Sequence, residues 1–120
     1  MTDQSVPQTI LRHLETGAVE GYSSSVQALV AWAARDFKGH EDVHVKGLGS
    51  LKMSVHSSLF KGLVRIEAKP NMSTYDVFFE NYNGKTGNLV VRAFIYGIKP
   101  EHLTQVIDNQ LEGEYKDGPV

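Results

Sequence analysis

The chain has 120 residues, 41% hydrophobic and 22% charged, with a formal net charge of −2 and no cysteine. That length supports one compact domain with a real core, and the supply of Val, Leu, Ile and Phe excludes a disordered polar chain. The missing thiols exclude disulfides, thiolate-held metals, iron–sulfur clusters and a cysteine nucleophile, and no apolar run reaches the ~18–20 residues that span a bilayer. The opening residues 1–8 lack the basic flank and apolar core of a secretory signal, so a cytoplasmic protein without a membrane partner is expected.

Two helices open the chain. Ser5 is a candidate N-cap with Pro7 in the first turn, Val6, Ile10, Leu11 and Leu14 share a face, and Gly17 stops the run. Ser23-Ser24-Ser25 offers a second start signal. From it Val26, Leu29, Val30, Ala33 and Phe37 follow helical spacing up to Gly39, with Trp32 at the margin of that stripe.

From Val43 the period changes to two. Leu51, Met53 and Val55 alternate with polar residues, as do Val64, Ile66 and Ala68. Tyr75, Val77 and Phe79 form a third run, and Leu89, Val91, Ala93 and Ile95 a fourth. Pro70-Asn71 and Asn83-Gly84 read as hairpin turns, the second at positions that need positive φ. A last helix starts at Pro100 with Leu103, Val106, Ile107 and Leu111 as its apolar stripe, and Gly113 closes it. The fold class is α+β: two N-terminal helices, an antiparallel sheet of four to five strands, and one C-terminal helix. Residues 1–113 form one domain, and 114–120 form a polar tail expected to fray.

Charge is unevenly spread. The segments 1–42, 43–99 and 100–120 carry net charges of −3, +5 and −4, so the strand region is basic and the helical regions acidic. Strand parity sharpens the point. If Val64, Ile66, Val77, Phe79, Val91, Ala93 and Ile95 face the helices, the opposite face shows Lys52, Arg65, Lys69 and Arg92 together with Phe78, Phe94 and Tyr96. Tyr82 and Lys85, near the Asn83-Gly84 turn, extend it. Cations interleaved with rings suit anionic ligands with π faces, while a cluster of exposed rings suits a covering loop, helix or second subunit.

Other constellations are weaker. His40-Glu41-Asp42-Val43-His44 has ligand types but reads as a turn entering a strand, where the two imidazoles lie too far apart for one ion. Lys46-Gly47-Leu48-Gly49-Ser50 lacks the spacing of a phosphate loop and no helix follows it. His56 beside Ser57-Ser58 has no third, orienting group. His13 and His102 read as surface residues. No catalytic residue, metal or cofactor is expected.

One pattern has a counterpart elsewhere. Ala34-Arg35-Asp36-Phe37, then Leu63-Val64-Arg65-Ile66-Glu67 through Asn71-Met72-Ser73-Thr74-Tyr75-Asp76-Val77-Phe78-Phe79, resembles short proteins of phages and mobile elements. In those an alternating strand precedes a similar Asn-x-x-x-Tyr-Asp-Val-x-Phe stretch, and another strand and a terminal helix follow. The likeness spans about 34–112. Gly97-Ile98-Lys99-Pro100-Glu101-His102-Leu103 departs from the acidic, tyrosine-containing form of that segment. The resemblance implies a phage context, hence a host-cell cytoplasm, and no catalytic residues.

Two functions follow as expectations. The first is a small non-enzymatic binding protein, acting through protein contact or capture of an anionic small molecule, with a homodimer as the simplest assembly. The alternative is a single-stranded nucleic-acid or nucleotide binder using the basic, aromatic sheet face. In a face-to-face dimer the cations of that face would repel unless Asp76 and Glu80 of the second copy answered them.

Overall fold

The computed structural model describes residues 5–45, 47–69 and 73–113. The readings on Lys46, the Pro70-Asn71 turn, the Asn71-Met72 part of the motif and the 114–120 tail lie outside the described residues. The element order is α1 (Val6–Thr16), α2 (Ser25–Ala31), β1 (Arg35–Glu41), β2 (Gly49–His56), β3 (Lys61–Ala68), β4 (Tyr75–Tyr82), β5 (Leu89–Ile98), a 3-10 turn (Pro100–His102) and α3 (Leu103–Glu112). The five strands form one antiparallel sheet in chain order. This is the α+β architecture expected, with two helices before the sheet and one after it.

Local chemistry explains most boundaries. Ser5 and Gln8 form a reciprocal capping box at the start of α1, and Val6, Ile10 and Leu14 bury its inner face. Ser24 caps α2 by accepting from the Gln27 N–H. All three helices lie on one side of the sheet. Their residues Ile10, Leu14, Leu29, Trp32, Leu103, Ile107 and Leu111 pack with Leu51, Met53, Val55, Val64, Ile66, Tyr75, Val77 and Phe79. Each such side chain removed from water stabilises the fold by about 1.5–3 kcal/mol. No helix among the described residues is long and apolar enough to cross a membrane.

The structure corrects three sequence readings. Helical spacing carries the second helix through Phe37 to Gly39, but α2 ends at Ala31. Ala33 turns left-handed at φ 54°, the Ala34 N–H donates to Leu29 O at 3.0 Å, and the Ala33 N–H donates to Val30 O at 2.9 Å. That is a Schellman closure. The buried apolar residues are Ala28, Leu29 and Trp32, whereas Val26 and Val30 stand in solvent. Residues 35–41 instead pair with β2 and supply a fifth strand, because cross-strand bonding outweighs the weak local preference for helix.

The second correction concerns β5. In sequence Leu89, Val91, Ala93 and Ile95 alternate as one face, but Phe79 pairs with Ala93 while Glu80 pairs with Val91. Arg92 is the extra residue of a bulge, and it reverses the parity of everything before it. Ala93 and Ile95 pack on the core, whereas Val91 and Leu89 are exposed opposite the outward Glu80 and Tyr82. Third, the left-handed residue of the β4–β5 hairpin is Gly87 at φ 75°, not the Asn83-Gly84 pair. Asn83 serves differently: its Oδ1 accepts from the Lys85 and Thr86 N–H groups at 2.8 and 3.2 Å.

Candidate binding face

With the helices on one side, the opposite side of the sheet presents Lys52, Arg65, Phe78, Phe94 and Tyr96, as parity predicts. Phe78 on β4 pairs directly with Phe94 on β5. Their ring centroids are 6.5 Å apart, Tyr96 lies 6.0 Å from Phe78, and Phe94 and Tyr96 are 4.8 Å apart. Such spacings lie within the attractive range for aromatic pairs. Phe78 is half-buried, while Phe94 and Tyr96 remain 54% and 60% exposed.

The cations beside these rings are already engaged. The Arg65 guanidinium lies 4.2 Å from the centre of the Phe78 ring. Its Nε and Nη2 donate to the Glu80 carboxylate at 3.4 and 3.3 Å, and its Nη1 donates to Glu67. Lys69 Nζ sits 2.7 Å from Asp76 Oδ2, and Asp76 Oδ1 also accepts from the Gly97 N–H at 3.1 Å. Asp76 and Glu80 are themselves buried. Arg65 and Lys69 therefore pair with carboxylates of the same chain, three in all, and the ring cluster sits on a patch of paired charges rather than a basic one. The signal was present in the sequence: Glu67 shares the parity of Arg65, and Asp76 and Glu80 share the parity of Phe78.

The remaining expected residues disperse. Arg92, in the bulge, donates from Nε to Asn81 Oδ1 at 2.6 Å, and Asn81 has the parity of the helix-facing side. Lys85 stands in the hairpin loop, exposed. Lys52 and Tyr82 do lie on the outer face but line a separate groove with Asp36, Phe37, Lys38, Ser54 and Leu63. Phe37 and Lys38 were missed because helical spacing had absorbed them.

The polar constellations resolve into structural roles. His40 belongs to β1 while His44 follows it in a turn, where Asp42 Oδ1 accepts from the His44 and Val45 N–H groups at 2.7 and 2.8 Å. Those two bonds hold the Asp42 carboxyl below its ordinary pKa. The strand thus leads into the turn, the reverse of the order read from sequence. Among the described residues no three His, Asp or Glu side chains converge as a cation site. The Ser57 hydroxyl is engaged by the Phe60 and Leu111 carbonyls at 2.9 and 2.8 Å. His13, read as a surface residue, is half-buried with Nδ1 2.5 Å from the hydroxyl of the fully buried Tyr75. Burial, and then the Arg12 charge, lowers the His13 pKa, and burial pushes the Tyr75 hydroxyl up to about 12. Both shifts favour a neutral imidazole that accepts from the tyrosine.

Asp108 is the functional-looking residue that sequence reading passed over. It is fully buried on α3, where its Oδ1 accepts from Trp32 Nε1–H at 2.9 Å and from the Tyr22 hydroxyl at 3.0 Å. Burial and that bond raise the Tyr22 pKa. Its position, one turn from Thr104 on the same buried face as Ile107 and Leu111, was the available signal. The arrangement ties α3 to the end of α2 and to the segment before it.

No family model, curated protein or solved structure matches the chain.

Proposed function

We propose that the protein is a non-enzymatic binding module whose outer sheet face, centred on Phe94 and Tyr96, docks a second copy of the chain. The observation that carries this reading is the three-ring cluster, exposed at Phe94 and Tyr96, on a patch whose cations are already paired. Contiguous exposed rings favour burial in a protein interface, and aromatic side chains are the usual energetic anchors there. The repulsion expected between two basic faces is relieved, because Glu67, Asp76 and Glu80 answer Arg65 and Lys69 within one chain. A twofold contact then sets the rings of one copy against those of the other.

A single-stranded nucleic acid on this patch is less well supported. Backbone tracking needs free cations beside the stacking rings, and the two nearest are bound to carboxylates. The proposed setting is a host-cell cytoplasm, in the phage or mobile-element context that the Tyr75-Asp76-Val77-Phe78-Phe79 pattern resembles.

Sedimentation equilibrium tests the reading. Wild type should approach twice the 13.3 kDa of one chain. Phe94→Ser and Tyr96→Ser should each weaken association at least about thirtyfold, the ~2 kcal/mol of an interface hot spot, with circular dichroism unchanged. A wild type that stays monomeric at high concentration overturns it.

A further inference from the structure

The groove at the β1 side of the outer face is a different feature from the ring cluster, shares no lining residue with it, and breaks several rules of sheet construction in one place. Lys38 and Lys52 are direct cross-strand partners. Like charges directly opposite one another destabilise a strand pair, and sequences ordinarily avoid them. Among the described residues neither lysine forms an ion pair, unlike Arg35, Arg65 and Lys69. Next to Lys38 the ladder slips between Arg35 and Lys38, and Asp36 sits left-handed at φ 56°. Bulges and left-handed non-glycine residues re-aim side chains and concentrate where a chain does something other than fold.

What the distortion assembles is chemically coherent. Phe37 and Tyr82 bring exposed rings to the groove, Leu63 adds an apolar side chain, Ser54 offers a hydroxyl, and Lys38 and Lys52 bring two ammonium groups. Asp36 also lines it, but its carboxylate lies 3.9 Å from Arg35 Nε, so these four charged residues leave a net of +2. The groove encloses about 400 Å³, within the range of small-molecule sites.

We propose that this groove binds an aromatic phosphomonoester, its ring against Phe37 and Tyr82 and its phosphate shared by Lys38 and Lys52. Two adjacent ammonium groups are matched by a dianion, and a phosphomonoester carries about −1.5 to −2 at neutral pH. A carboxylate would leave one lysine uncompensated. Lysine meets phosphate as a point charge and needs no forked geometry. A polynucleotide would need the cations to continue across the face, and Arg65, on the next strand, is already bound to Glu80.

The test is an amide NMR titration of the full chain at low salt with adenosine monophosphate, free phosphotyrosine, adenosine and tyrosine. The two phosphorylated probes should shift Phe37, Lys38, Lys52, Ser54 and Tyr82 saturably, with adenosine and tyrosine about tenfold weaker or worse. Whichever phosphorylated probe binds more tightly identifies the source as a nucleotide or a phosphotyrosine. Lys38→Gln and Lys52→Gln should each weaken binding about tenfold and also raise the low-salt melting temperature, because each removes the cross-strand repulsion. Lys99→Gln, ahead of the 3-10 turn, should change neither. Absence of saturable shifts at millimolar probe, shifts centred on Phe94 and Tyr96, or unaltered binding by both lysine variants overturns the proposal. A failure of dimerisation leaves it standing, since the two surfaces share no residue.

Discussion

Trp32→Phe isolates the bond that ties α2 to α3. The indole is fully buried, and its Nε1–H donates to Asp108 Oδ1 at 2.9 Å. Phenylalanine keeps a ring in the site but removes the donor, so a buried carboxylate loses a charge-assisted bond worth about 1.5–3 kcal/mol. The smaller ring also vacates about 40 Å³, which at ~24 cal/mol per Å³ adds about 1 kcal/mol. The expected loss is about 2.5–4 kcal/mol, a large share of a 5–15 kcal/mol margin. Urea unfolding followed by far-ultraviolet circular dichroism reads it as a lower midpoint at unchanged m. Tyr22→Phe removes the other donor, at 3.0 Å and in a half-buried setting, so it should cost less. Because both donors share one oxygen, the double variant should depart from additivity. A Trp32→Phe loss below about 1 kcal/mol would refute the bond as the brace between these helices.

Two further outcomes follow from the same geometry. Ala33→Gly should stabilise the protein by about 1 kcal/mol, since Ala33 closes α2 at a left-handed φ of 54° that glycine adopts freely; a thermal melt should rise by roughly 3–5 °C, and a fall would count against the Schellman closure. His13, whose pKa burial lowers from 6.5, gives the unfolded chain the higher proton affinity, so its contribution is present above pH 6.5 and is lost as pH falls through the lower folded value. Urea midpoints measured between neutral and mildly acidic pH should decline in wild type and flatten in His13→Gln, which keeps an acceptor for Tyr75; equal slopes would remove His13 from the account.

How far the sequence could be read depended on which forces were local. The capped start of α1, the alternation of Val64 with Ile66 and Val77 with Phe79, and the Leu103-Ile107-Leu111 stripe are set by spacing and end chemistry within a few residues, and all were legible. The end of α2 was not. Ala33 gives no glycine-like warning of a left-handed closure, and the strand that follows exists because β2 offers it a ladder, a contact that local spacing does not carry. The bulge at Arg92 was hidden for a similar reason: Leu89 to Ile95 alternates without a break, and only the pairing of Phe79 with Ala93 and of Glu80 with Val91 reveals the slip. For the binding face, parity placed the rings on the correct side but gave the Asp76 and Glu80 carboxylates to a second copy, whereas they pair with Arg65 and Lys69 of the same chain. Summed charge over a segment says nothing about which charges touch.

That pairing divides the outer face into two chemistries. Toward β5, each cation beside the rings has a carboxylate within reach, so the surface keeps aromatic area without a free positive charge and suits a protein. Toward β1, the cross-strand lysines have no such answer, and the exposed rings of Phe37 and Tyr82 line the same groove. If the sheet had been selected for stability alone, the cheapest repair would be one acidic residue in place of Lys38 or Lys52, converting a repulsive pair into an attractive one. Arg65 and Lys69, by contrast, each reach a carboxylate of their own chain, Glu80 and Asp76. A chain that answers its charges on one half of a face and leaves a strained, unanswered pair on the other has reserved that pair for a charge arriving from outside.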